Sequence, residues 1–109
     1  MYGNPQRLSH PDVQDLRREG GRWLKERREH LGLSQRQLAE RVGAEYYTFI
    51  SQLETGRGRI PPDRYSDWAR ALEMRSRDFV QELLRYYDPI THNILFEQNA
   101  ESEGTHRRS

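Results

Sequence analysis

Cysteine is absent from this chain, and that absence excludes a disulfide framework, a thiolate metal site and a cysteine nucleophile together. Apolar material is scarce as well. Hydrophobic residues make up 33% and charged residues 32%, and no apolar run approaches the ~18 residues a membrane span needs. The start carries no signal-peptide core, so the expected location is cytoplasmic and the chain is expected to have no membrane partner. The four histidines, His10, His30, His92 and His106, are scattered without ligand spacing. HExxH, EF-hand and P-loop patterns are missing too. The serines fall at helix caps or on an outward helix face, so no Ser/His/Asp site assembles. Neither enzyme activity, cofactor, metal nor small-molecule substrate is expected.

What is present suits one small all-helical domain with tails. Two Trp, six Tyr and three Phe within 109 residues can fill one modest core. The net charge of +1 conceals an asymmetry. Residues 21–61 carry eight Lys/Arg against five Asp/Glu, whereas residues 62–100 carry five against seven. A basic half suits a polyanion, with the acidic half turned away from it.

Along the chain, residues 1–8 lack periodicity and read as an arm. Ser9-His10-Pro11-Asp12 looks like a helix start. Gly20-Gly21 then reads as a breaker that ends a short separate helix after Val13 and Leu16, with a kinked continuation into the next helix as the alternative. A helix from about Arg22 to His30 follows. Asp63 to Glu73 places Tyr65, Trp68, Ala69 and Leu72 on one face. Ser76 is expected to cap a further helix bearing Phe79, Val80, Leu83 and Leu84, and Asp88-Pro89 reads as a cap and first helical position. Ile90, Ile94, Leu95 and Phe96 form a last apolar patch, read as a dimer surface in preference to a satellite packed back on the core, and from Gln98 the composition is polar and reads as a disordered tail.

The most informative stretch is LSQRQLAERVGAEYYTFISQLETGRGR. Ser34 and Gln37 have capping-box spacing. Leu38, Ala39 and Val42 form an apolar stripe, and Gly43 is placed to end that helix in the left-handed conformation. In the next helix, Tyr46, Ile50 and Leu53 share an inward face at i, i+4 and i+7. Tyr47, Thr48, Ser51, Gln52 and Thr55 fall on the other side. So many outward hydrogen-bonding groups on a short helix point to a reading function.

LSQRQLAERVG followed by ISQLETG and a basic loop resembles the lambda-repressor/Cro-like helix-turn-helix family over roughly Arg22 to Leu84. The resemblance implies a compact five-helix domain over residues 21–88. A short extra helix and arm over 1–20 would precede it, with a possible dimerisation segment over 89–97 and a tail over 98–109 behind. Gln35 to Val42 would be the positioning helix and Tyr47 to Glu54 the recognition helix, lying in the DNA major groove. This chain has one residue more than the family usually places between the turn glycine and the glutamate matching Glu54.

By the same resemblance the chain is expected to be a sequence-specific double-stranded DNA-binding regulator, a repressor. It would be of bacterial or phage type, nucleoid-associated when bound, and act as a homodimer on a palindromic operator. Tyr47, Thr48, Ser51 and Gln52 would read bases. Gln35, Arg36, Thr55, Arg57 and Arg59 would meet phosphates. Arg28 would pair with Glu54 and pin the recognition helix, and Ile90, Ile94, Leu95 and Phe96 would carry the dimer contact. The rival expectation is a protein-interaction module or antitoxin-like adaptor anchored by the Tyr46-Tyr47 and Tyr86-Tyr87 pairs.

Overall fold

The computed structural model describes residues 3–98, with residues 3–12 described by their backbone alone. Residues 1–2 of the expected arm and residues 99–109 of the expected tail lie outside the described part. Within it the fold is all-helical: α1 (Gly3–His30), α2 (Gln35–Val42), α3 (Thr48–Glu54), a 3-10 turn (Pro62–Arg64), α4 (Tyr65–Ala71), α5 (Ser76–Tyr87), α6 (Pro89–His92) and a π-helical segment, Asn93–Gln98.

The N-terminal helix corrects the expected division. Gly20-Gly21 does not break the chain, and from Gly3 onward α1 runs without interruption through positions assigned to an arm and a separate short helix. The glycines serve close approach. A Cβ on Gly20 would sit 2.8 Å from Tyr86 Cβ, and one on Gly21 would sit 2.4 Å from the Glu54 carbonyl oxygen. Removing both side chains lets α1 lie against α5 and the end of α3. A helix-propensity cost of about 1 kcal/mol per glycine is offset by this contact.

The core is one cluster in which Leu24, Leu38, Ile50, Leu53, Ile60, Leu72, Phe79 and Leu83 are essentially inaccessible, with Trp68 beside them. Each apolar stripe supplies its share. Leu38, Ala39 and Val42 come from α2, and Trp68, Ala69 and Ala71 from α4. Trp23 packs along the margin, its ring 5.7 Å from Phe79 and 6.2 Å from Tyr86.

Helix ends bear out some capping expectations and correct one. Ser34 Oγ accepts from Gln37 N–H at 3.0 Å while Gln37 Oε1 accepts from Ser34 N–H at 2.8 Å, completing the capping box. Asp88 caps α6, accepting from Thr91 N–H at 3.1 Å, with Pro89 at the first position. Ser76, however, is already inside α5. The N-cap is Arg75 in an extended conformation without a side-chain cap, and Ser76 Oγ lies 3.3 Å from Ser66 Oγ. The α5 start is instead supported by Asp78, which accepts from Arg75 Nε at 2.9 Å.

Candidate nucleic-acid interface

The turn between α2 and α3 begins at Gly43, which takes φ 73° and donates its N–H back to the last turn of α2. A side chain there would be strained, so glycine is the residue that re-aims the chain. The segment is one residue longer than the expected pattern. The structure absorbs the extra residue before the helix: α3 starts at Thr48, and Tyr47 is its N-cap.

This start changes two expectations. Tyr46 lies ahead of the helix and does not share its phase, so it does not pack inward beside Ile50; it is 67% exposed. Tyr47 is also exposed, and its ring sits beneath the Arg36 guanidinium at 4.7 Å. A residue expected to read bases and one expected to hold phosphate therefore form a single cation–π unit at the mouth of the turn.

Within α3 the helical phase sorts the side chains cleanly. Ile50 and Leu53 are buried, Thr48 and Gln52 are exposed, and Ser51 is half-buried. Thr48, Ser51 and Gln52 present two hydroxyls and an amide to solvent from a helix whose opposite side is anchored in the core.

The anchor is an ion pair between α1 and α3. Arg28 Nε and Nη2 donate to Glu54 Oε2 and Oε1 at 2.6 and 3.0 Å, a two-point fork. Both side chains are buried, at 8% and 3% exposure. The third guanidinium nitrogen, Nη1, donates to Leu33 O at 2.7 Å. Its hydrogen bond to Glu54 raises the Arg28 pKa above its ordinary value, against the opposing effect of burial. Gln35 joins the same network, its Nε2 donating to Glu54 Oε1 at 3.0 Å. Gln35, expected at a phosphate, thus also ties α2 to α3.

Beyond α3, Thr55 Oγ1 donates to the Ser51 and Gln52 carbonyls at 3.0 and 3.2 Å and closes the helix end. Gly56 follows at φ 82°, where a Cβ would meet the Arg18 backbone nitrogen at 2.9 Å. Arg57 and Arg59 are exposed. Arg59 is steadied over the Tyr87 ring at 4.8 Å, and the Tyr87 hydroxyl accepts from Ile60 N–H at 3.2 Å. Burial pushes the Tyr87 hydroxyl above its ordinary pKa, so it stays protonated beside the basic loop. Sequence reasoning missed Tyr87 in this role. Its partner Ile60 is 27 positions away, and no local pattern marks such a pairing.

Not every cation in the basic half is available to a partner. Arg27 Nε donates to Leu72 O at 3.1 Å and Arg41 Nη1 to Ala71 O at 2.9 Å, so both cap the end of α4. With Arg28 engaged by Glu54, the outward positive charge rests on Arg22, Lys25, Arg36, Arg57 and Arg59.

Two further features lie at the surface. A groove of about 490 Å³ opens beside the start of α3, with Tyr46, Phe49, Pro61, Arg64 and Trp68 in its walls. At the other end, Ile90 is 74% exposed, Ile94 48% and Leu95 49%. Phe96 is half-buried, its ring 5.3 Å from that of His92. Among the described residues no group of histidine and carboxylate side chains could hold a metal, and no helix is long and apolar enough to cross a membrane.

Two short helices joined by a glycine turn, the second held by a buried fork and showing polar groups outward, define a helix-turn-helix DNA-binding domain. Comparison with known families agrees. The helix-turn-helix family model matches residues 24–88, well over half of the chain, and the chain belongs to this lambda-repressor/Cro-like family of DNA-binding regulators. No curated protein shows a significant match.

Proposed function

We propose that the chain is a sequence-specific regulator of transcription, acting as a repressor, that reads the major groove of double-stranded DNA with α3 as a homodimer. The supporting observation is the two-sided character of α3: Ile50, Leu53 and Glu54 fixed inside, Thr48 and Gln52 outside. Gln52 can pair at two points with adenine, and Thr48 offers thymine a methyl as well as a hydroxyl. Ser51 adds a shorter donor between them. Arg36, Arg57 and Arg59, with Thr55 at the helix end, would set register on phosphates without reading sequence. Tyr47 stands at the groove entrance, where its ring can lie against sugar and its hydroxyl can reach phosphate.

One such helix makes few base contacts. Two, related by a two-fold axis and roughly 34 Å apart, would read a palindromic operator. Ile90, Ile94 and Leu95, exposed on and after α6, are the surface we assign to that contact, together with the half-buried Phe96.

Selection of bound duplexes from a random-sequence pool tests the reading. A palindromic consensus is the expected product, and its affinity should fall steeply with salt as counterions are released. Negligible binding to any duplex at low salt refutes it. That result would favour the second reading, a protein-interaction module, for which the exposed Tyr46 beside the groove walled by Phe49 and Trp68 supplies an aromatic anchor.

A further inference from the structure

α1 is much longer than the matched domain needs. It begins at Gly3, while the family match begins at residue 24. The last of its added turns pack against the domain. Gly56 lets the Arg17–Arg18 backbone come into direct contact with the loop that follows α3, and Gly21 seats α1 against the Leu53 and Glu54 carbonyls. The Arg17–Gly21 stretch is therefore held alongside the end of the recognition helix and the start of the basic loop.

That placement brings a row of cations into position. Arg18, Arg22 and Lys25 recur at i, i+4 and i+7, one face of α1. Together with Glu54 and Thr55 they line a shallow groove of about 260 Å³. The carboxylate in this groove does not compete for an anion, since Glu54 is buried and already accepts from Arg28 and Gln35. Neither Arg22 nor Lys25 has a carboxylate within ion-pair distance among the described residues. Glu19 and Glu26 lie beside Arg22, on its far side with Trp23 and Tyr86. Arg18 is held by Asp15 at 2.7 Å, but that pair is more than half exposed and easily exchanged.

We infer that the Arg18-Arg22-Lys25 face of α1 is a second binding surface for the DNA phosphate backbone. It continues the track of Thr55 and Arg57 outward from the recognition helix and lengthens the footprint of each half-site. This inference rests on the DNA-binding function proposed above. It adds cations that lie mostly before the matched domain, so the family match does not assign them. The contact is sequence-blind: it supplies affinity and register, while α3 supplies discrimination.

The test compares salt dependence. Binding of the full chain to a duplex enriched from a random pool, and to a scrambled duplex of equal length, is measured from about 50 to about 200 mM salt. Arg18→Gln/Arg22→Gln/Lys25→Gln is set against Arg70→Gln/Arg75→Gln/Arg77→Gln, which removes the same charge from the acidic half. Each lost phosphate contact lowers the log–log slope by ~0.9, so three contacts make the wild type lose roughly 40-fold more affinity than the α1 variant across that range. Lys25→Gln alone should remove one contact's share, and melting curves verify that the variants fold. Both duplexes should respond alike, with the Arg70 set unchanged. Equal effects of the two triple variants would mean that only net charge matters, and an unaltered slope would mean that α1 does not touch DNA. Either result overturns the inference while leaving the proposed function intact. Absence of duplex binding by the wild type removes both.

Discussion

Replacing Arg28 by alanine is the sharpest test of how this fold holds its reading helix. The substitution leaves the Glu54 carboxylate buried, facing the space of a lost guanidinium and retaining only Gln35 Nε2 at 3.0 Å. It also strips Leu33 O of its donor at 2.7 Å. Removing one partner of a buried pair costs about 3–5 kcal/mol. In a domain whose whole stability is of order 5–15 kcal/mol that is a large share. For a chain of this size, 1 kcal/mol corresponds to about 4–8 °C in melting temperature, so a fall of more than ~12 °C is expected by calorimetry or circular dichroism. Arg28→Met/Glu54→Leu should recover most of the loss, because it removes both charges together and fills the space with apolar groups. Recovery of DNA affinity should lag behind, since Gln35 would have no carboxylate to hold α2 against α3. An unchanged melting temperature in Arg28→Ala would refute the claim that the fork carries stability.

Other expectations follow from the same geometry. Gln52→Ala should relax preference at one operator position by about 1–3 kcal/mol, while Arg57→Ala should weaken every sequence equally and lower the salt slope by about 1; parallel losses in both would dissolve that division of labour. Gly21→Ala should lower the melting temperature despite alanine's higher helix propensity, because its Cβ would meet the Glu54 carbonyl at 2.4 Å and drive α1 off α3; a rise would show that the contact can relax. Ile94→Glu should shift the chain to monomer mass in sedimentation, and an unaltered dimer mass would move the interface elsewhere. Burial, with a hydrogen bond to Glu82, pushes the Tyr86 hydroxyl up to about 12. A raised folded-state value means stability present in full below the ordinary tyrosine value of about 10 and lost as pH climbs towards about 12. Tyr86→Phe should flatten that alkaline loss, and an identical pH profile in the variant would exclude Tyr86 as its source.

Local pattern was enough for much of this protein. The Ser34-Gln37 capping box, the apolar stripe of α2 and the inward Ile50 and Leu53 depend on contacts within a few residues, where helical period and cap chemistry leave little choice. The Arg28–Glu54 pair was legible only through resemblance, because spacing alone does not bring two residues on separate helices together. Gly20-Gly21 misled for the same reason. A glycine pair looks identical whether it ends a helix or admits a neighbour, and only the proximity of Tyr86 and Glu54 distinguishes the two. The roles of Tyr46 and Tyr47 turned on a single residue. One added position before α3 changes which side chains obey the helical phase, and the start of α3 at Thr48 decides it.

Sequence by itself determined the helical class, the core stripes, the outward polar face of α3 and the absence of disulfide chemistry, since these follow from residue type and short-range periodicity. Tertiary structure alone decided which charges remain outward. Arg27, Arg28 and Arg41 are engaged by carbonyls and a carboxylate on other helices, whereas Arg22 and Lys25 have no ion-pair partner among the described residues, on a helix that glycine contacts hold beside the reading site. A charged side chain's availability is set by what packs against it, and packing partners distant in the chain are not written in its neighbours.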